Sequence, residues 1–380
     1  MNFKLTEEHF MVRDAAREFA ANELLPGVIE RDNTQSFPIE IIRKMGQLGF
    51  MGIMVDPKYG GSGMDTISYV LIMEELSKID ASASVMVSVN NSLVCFGLEA
   101  YGTEDQKQKY LSKLATGEYI GAFCLSEPEA GSDATSQQTT AIEKEDHYII
   151  NGTKNWITNG GIADVYLVVA QTDRSKGHRG INVFIVEKNT AGFNIGPKED
   201  KLGIRGSDTH TLQFNDVKVP KENRIGEDGF GFTFAMKTLS GGRIGIAAQA
   251  LGIASGAYEL ALKYSKERKA FGKEIANHQA IAFKLADMYT EIEAARLLVM
   301  KAACDKDQSN NYDTSSAAAK LYASKVAMTQ TVEAVQIHGG NGFVKDYHVE
   351  RLMRDAKITQ IYEGTSEIQK IVISRAILKD

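Results

Sequence analysis

The spacing of hydrophobic positions divides the chain into three stretches. Up to about residue 118, apolar residues recur at helical intervals. Thr6 can cap a helix that opens on Glu7-Glu8 and ends before Pro26, and Pro38 suits the first turn of a helix stopping near Gly46 or Gly49. Asp65 can cap residues 67–79, and residues 81–98 form a long apolar run of the kind found in a buried helix. Thr103-Glu104-Asp105-Gln106 is a capping-box pattern, opening a helix with Tyr110, Leu111 and Leu114 on one face. From about 119 to 225 short β-branched runs take over, at 148–150, 164–172, 181–187 and 211–219. Asn151-Gly152 between two apolar runs signals a hairpin, and the stretch predicts an antiparallel barrel or sandwich. From about 226 helical spacing returns, over roughly 232–266, 275–305, 313–339 and 351–378, with a polar turn at 308–312. Lengths of this kind suit a four-helix bundle. The prediction is α+β, with a helical unit at 1–118, a β unit at 119–225 and a helical bundle at 226–380.

The last helical run carries a break, Ile361-Tyr362-Glu363-Gly364-Thr365-Ser366-Glu367-Ile368-Gln369. Gly364 ends one segment, and Thr365 or Ser366 can cap the next, which starts with Glu367. A carboxylate, Glu363, thus stands just ahead of a helix N-terminus, where unpaired N–H groups point outward. That arrangement suits a general base beside a binding platform. On their own, the same residues read first as a solvated loop acid and a helix C-cap.

Composition narrows the function classes. At roughly 150 residues per domain, 380 residues allow two or three domains. Hydrophobic residues are 43% and charged residues 24%, ordinary for a globular chain. The net charge of −6 argues against nucleic acid as the main partner. The N-terminal stretch has no apolar signal core, and no run is read as spanning a membrane. Three scattered cysteines, Cys95, Cys124 and Cys304, suggest a reducing compartment and lack zinc spacing, so the expectation is a cytoplasmic protein without a metal site, although a mature organelle protein with its leader removed would read the same. No G-x-G-x-x-G, P-loop or H-E-x-x-H is present. His338, ahead of Gly339-Gly340, is expected to be a satisfied or solvated histidine.

Two further segments bear polar groups on turns. In Phe123-Cys124-Leu125-Ser126-Glu127-Pro128-Glu129-Ala130-Gly131-Ser132-Asp133, Pro128 and Gly131 force a turn that exposes hydroxyls and backbone N–H groups. Asn155-Trp156-Ile157-Thr158-Asn159 holds the only tryptophan, which can fill a core or cover an aromatic ring while Thr158 bonds the ring edge. With "RKAFGK" and a downstream Gln279, "QIHGGNGF", and "IYEGTSEIQ", these segments resemble, in order, the motifs of flavin-dependent acyl-CoA dehydrogenases. Residues 88–93, 201–205 and 243–247 look most like the short-chain, butyryl-type branch.

The resemblance implies an α–β–α fold, FAD as cofactor, and dehydrogenation of an acyl-CoA to the trans-2-enoyl-CoA with Glu363 as base. It implies that Phe123, Leu125, Ser126, Gly131 and Ser132 run along the isoalloxazine, and that Trp156, Ile157 and Thr158 line it. Phe271 would contact FAD, Arg268 and Gln279 would reach the FAD of a neighbouring subunit, and Gln336, Ile337, Gly339 and Gly340 would lie near that FAD's adenosine half. Read from position alone, Arg268 also fits a solvated helix-end cation. Thr365, Ser366 and Glu367 would contact FAD again, while Ser132 would also touch the CoA arm, Arg243 would help bind CoA and Gly364 would meet the thioester. Arg243 equally fits a structural helix cation. The implied partners are an electron-transferring flavoprotein and further copies of the chain in a homotetramer, a dimer of dimers. Alternatives within the fold are another chain length, branched substrates, or an oxygen-using oxidase. The intact Glu363 segment argues against a monooxygenase, and a non-catalytic CoA scaffold would leave the base idle. One departure stands out: short-chain members usually have aspartate where this chain has Ser240.

Overall fold

The computed structural model describes residues 4–308 and 311–379. The N-terminal third is helical: α1 (Glu7–Phe19), α2 (Val28–Thr34), α3 (Ile39–Gln47), α4 (Thr66–Ile79), α5 (Ala81–Ser88), α6 (Phe96–Tyr101), α7 (Glu104–Gln106) and α8 (Ser112–Ala115). Local chemistry sets the starts as expected. Thr6 accepts from the His9 N–H at 3.2 Å, Asp65 from the Ser68 N–H at 2.8 Å, and Thr103 pairs with Gln106 in a capping box. Pro38 is the residue before α3 rather than part of its first turn. The long apolar run at 81–98 is buried as foreseen, but it is not one α-helix: Val89–Cys95 is wound as π-helix. Two buried amides accompany the wider turns. Asn90 Nδ2 donates to the carbonyls of Met51 and Leu114, and Asn91 Nδ2 donates to that of Phe50.

The middle third is a single mixed sheet of β1 (Gly121–Cys124), β2 (Thr140–Glu143), β3 (His147–Thr158), β4 (Val165–Gln171), β5 (Ile181–Glu187), β6 (Phe193–Lys198), β7 (Thr209–Pro220) and β8 (Arg224–Ile225). The order is β6-β7-β3-β2-β4-β5-β8, with β1 added on β4. This corrects the expected antiparallel barrel: β1 and β2 both run parallel to β4, and the strand path does not close. Hydrophobic alternation identifies a strand but not its partner, and parallel neighbours come only from crossovers. The hairpin expected at Asn151-Gly152 is also absent. β3 continues straight through it with a register shift against β7, and the chain reverses earlier, between β2 and β3. Gly152 is needed for close approach, since a Cβ there would lie 2.5 Å from Thr139 Oγ1.

The last third holds α9 (Gly231–Glu267), a small hairpin of β9 (Lys269–Ala270) and β10 (Lys273–Glu274), then α10 (Gln279–Gln308), α11 (Asp313–His338), α12 (His348–Ile358) and α13 (Ser366–Ile377). The predicted polar turn at 308–312 includes residues 309–310, which lie outside the described residues. The predicted run at 351–378 is two helices separated by seven residues of turn. Helix α9 is the spine: it packs on α11, α10 and α4, and its middle is almost wholly buried. One hydrophobic cluster runs from α1 through the sheet into α9, α10 and α11. The reading that no run could span a membrane needs a correction. By length and composition 81–101 and Gly231–Glu267 would qualify, but both are mostly buried in protein, as core helices are.

Candidate active site

The site is built on the turn between α12 and α13. Glu363 has φ +51° and Gly364 φ +92°. A non-glycine residue in the left-handed region is strained and persists only where its surroundings hold it. Here two buried side chains do so. Lys320 Nζ, from α11, donates to the Gly364 carbonyl at 2.6 Å. Gln369 Nε2, from α13, donates to the carbonyls of Gly364 at 2.8 Å and Glu363 at 3.3 Å. Thr365 caps α13 by accepting from the Ile368 N–H. On the other side the Tyr362 hydroxyl bonds Gln249 of α9, whose amide donates to Ala81 O and Ser84 Oγ. The carboxylate of Glu363 is thereby aimed at α9, where only glycine leaves room: a Cβ on Gly242 would lie 1.9 Å from Glu363 Oε2.

That oxygen is shielded from solvent and has no hydrogen-bond partner among the described residues. Burial pushes the Glu363 carboxyl up to about 7, against the pull of Lys320 and then Arg243. Burial in turn lowers Lys320 to about 8, with Glu363 opposing. Arg243, on α9, is 6% exposed and its Nε is also unpartnered. Burial lowers it, opposed by Asp313, Glu363 and Tyr312 in that order. Ser240 Oγ, one helical turn earlier, lies 2.5 Å from Asp313 Oδ1 at the start of α11.

Glu363 faces a cavity of about 630 Å³. Phe123, Leu125, Ser126, Gly131, Ser132, Trp156, Ile157, Thr158, Arg243 and Gly364, all singled out from sequence, line it with Glu363. Trp156 is 59% exposed, with φ +57°, so the single tryptophan belongs to the cavity wall and not the core. The loop bearing Ser126 and Ser132 is tied to β3 from beneath. Lys154 Nζ, fully buried, bonds Glu127 Oε1 and Gln137 Oε1 at 2.6 Å each and Leu125 O at 3.1 Å.

The other predicted residues lie elsewhere. Arg268 ends α9, Phe271 tips the β9–β10 hairpin and Gln279 begins α10; all three are exposed. Gln336 and Ile337 lie in the last turn of α11 and Gly339 and Gly340 in the short turn after it; of these four, Ile337 alone is buried. Thr365, Ser366 and Glu367 line a separate cavity of about 820 Å³ with Tyr322, Lys325 and Lys370. His338 is a satisfied histidine, bonded to Ala334 O and stacked on Tyr264. Sequence reasoning missed Lys320, Gln369, Gln249, Asp313 and the Lys154–Glu127 pair. For Lys320 a signal existed: one lysine inside the small-residue run Ala317-Ala318-Ala319-Lys320-Leu321-Tyr322-Ala323.

Family models described as the N-terminal, middle and C-terminal domains of acyl-CoA dehydrogenase match residues 6–118, 122–217 and 229–378. A short-chain-specific acyl-CoA dehydrogenase of Clostridium acetobutylicum is 54% identical over 379 residues, covering 100% of both chains. Among solved structures, butyryl-CoA dehydrogenase from Megasphaera elsdenii superposes with a TM-score of 0.98 at 51% identity, covering 100% of both chains. A chain from a structure described as the electron transferring flavoprotein of Acidaminococcus fermentans gives a TM-score of 0.99 at 53% identity, again covering 100% of both.

Proposed function

Because the chain belongs to the acyl-CoA dehydrogenase family, we propose that it dehydrogenates a short-chain, butyryl-like acyl-CoA to the trans-2-enoyl-CoA, with Glu363 as base. The observation that carries this is the half-buried Glu363: its Oε2 is sealed from solvent and unpartnered, its carboxyl is raised to about 7, and it lines a largely apolar cavity. A base of that affinity is half deprotonated at neutral pH and remains strong enough to matter for a weakly acidic C–H.

The residues around the cavity fit FAD. An exposed indole stands on a strained strand residue, with the Ser126 and Thr158 side chains on the same wall, as a flat ring with a polar edge requires. Phe123, Leu125, Ser126, Gly131, Ser132, Trp156, Ile157 and Thr158 would hold its ring system, and Thr365, Ser366 and Glu367 a further part. When bound, FAD supplies the acceptor for the β-hydrogen as hydride.

The protein's own work is positional. Glu363 takes the α-proton on its carboxylate, held in place by the Lys320 and Gln369 bonds to the turn. The Glu363 N–H donates to no group among the described residues, so it is available to the thioester oxygen as enolate charge develops. One such donor is worth roughly 3 kcal/mol. The apolar wall of Val85, Val89 and Leu93 excludes water beside the acyl chain. Electrons then leave for an electron-transferring flavoprotein, a partner suggested by the Acidaminococcus structure.

The test is anaerobic bleaching of the yellow holoenzyme by butyryl-CoA. Glu363→Gln should bind FAD and substrate yet bleach at least 10³-fold more slowly, on the order of what a positioned base contributes. Near-normal bleaching of that variant would remove Glu363 from the role. For chain length, butyryl-CoA should give the highest kcat/KM and octanoyl-CoA little; a reversed order would reject the short-chain assignment alone. Rapid reoxidation of the reduced enzyme by oxygen during turnover would point to an oxidase instead.

A further inference from the structure

Two charged groups act on Glu363, Lys320 on α11 and Arg243 on α9, and two neutral hydroxyls face it, Tyr69 on α4 and Tyr362 in its own turn. Tyr362 is engaged with Gln249, and Tyr69 donates to Ser88 Oγ. Lys320 is committed to the Gly364 carbonyl. Arg243 has no such commitment. Its recorded hydrogen bond is a long one, Nη1 to Ser240 Oγ at 3.5 Å, and it forms no ion pair within 4.0 Å among the described residues.

Two carboxylates compete for this guanidinium. One is Glu363. The other is Asp313, the stronger of the two acting on Arg243. Asp313 bonds Ser240 Oγ at 2.5 Å, so carboxylate, hydroxyl and guanidinium form a row anchored on α11. Tyr312, beside Asp313, faces the same guanidinium. Without Asp313, the carboxylate left facing Arg243 would be Glu363 itself. Arginine and carboxylate pair strongly when buried, and such a pair pulls a carboxyl down by roughly 1–3 units. A base locked that way is poorly suited to a C–H proton.

We propose that Asp313 is a positioning residue: through Ser240 it holds Arg243 off Glu363, leaving Glu363 a free base rather than half of an ion pair. The proposal rests on the reading of Glu363 as the base. Asp313 is also the first residue of α11, where an acid favours the helix dipole, so a loss of stability on mutation would not distinguish the two roles. The pH dependence does.

The experiment follows the holoenzyme in two ways: the pH profile of anaerobic bleaching by butyryl-CoA, and infrared titration of the Glu363 carboxyl without substrate, referenced to Glu363→Gln. Asp313→Asn should shift the acid limb and the infrared midpoint down by about one pH unit, and lower the plateau rate severalfold. The exchange Ser240→Asp with Asp313→Ser, which returns the carboxylate from α9, should bring both midpoints back. Ser240→Ala, which cuts the row at its centre, should shift both the same way by less and serves if Asp313→Asn does not fold. Unchanged midpoints in a folded, FAD-loaded Asp313→Asn would overturn the proposal, as would a slower rate with no shift, which a capping role alone explains. The infrared arm does not depend on turnover. A protein whose bleaching ignores Glu363 would sink the base assignment, while the infrared midpoints would still decide whether Asp313 governs the Arg243–Glu363 pair.

Discussion

Glu363, the proposed base, is also a stability burden. Its carboxyl ordinarily titrates at 4.5 and is raised to about 7 in the fold. The folded state therefore binds more protons than the unfolded one between those values, and stability falls as pH rises through that window. Glu363→Gln removes the penalty. Thermal or denaturant unfolding of the holoenzyme should find it more stable than wild type by on the order of 3 kcal/mol at pH 8, with the difference vanishing below about pH 4.5. An equal difference at pH 4 and pH 8 would contradict a raised carboxyl. Lys320 acts on the same residue with opposite sign to Asp313. It pulls Glu363 down and holds the Gly364 carbonyl. Lys320→Met should move the acid limb of bleaching up by about one pH unit and destabilise the protein, because the Gly364 carbonyl loses one of its two donors. An acid limb that stays in place would show Lys320 to be a structural prop only.

At the scale of elements, the loop between β1 and β2 is the piece whose shape the cavity depends on, and one buried ion pair sets it. Lys154 and Glu127 are both sealed from water, and Glu127 also accepts from the N–H groups of Gln138 and Thr139. Removing one partner leaves a bare buried charge, which costs about 3–5 kcal/mol; removing both costs much less. Lys154→Met should therefore lose more stability and more FAD than Lys154→Met with Glu127→Leu, measured by denaturant unfolding and flavin content. A double variant as damaged as the single would mean that the pair acts through shape, not charge. This element also marks the limit of what the sequence discloses. The α–β–α order, the caps at Thr6, Asp65 and Thr103, and the break at Gly364 are local signals, and the sequence carries them. The parallel placement of β1 and β2 on β4 is not local, and Asn151-Gly152 misled because a glycine required for close approach looks like one required for a turn. The cavity wall was legible through motifs. Lys320, Gln369, Gln249 and Asp313 were not, since each acts on a group brought near only by helix packing.

For the whole molecule, the residues that stand away from the cavity are the informative ones. Arg268, Phe271 and Gln279 sit at one exposed corner, and Phe271 is 96% exposed. Phe343, just beyond Gly339 and Gly340, is 87% exposed. Aromatic rings left bare in a chain with so continuous a core suggest a surface that another molecule covers. If that molecule is a second copy, and Arg268 there reaches the cofactor of its neighbour, assembly and FAD binding become one equilibrium. A ligand that binds only the assembled state stabilises it by mass action. Arg268→Ala should then lower FAD content and Tm together, and added FAD should recover part of the Tm. Phe271→Ser, which removes the ring without touching a charge, should weaken association and, through it, FAD affinity. Sedimentation and flavin titration over a range of protein concentration read both at once. In the coupled case FAD affinity falls on dilution, as copies separate. A monomer that binds FAD with wild-type affinity at every concentration would place the whole cofactor site within one chain, and would leave the exposed corner to some other partner.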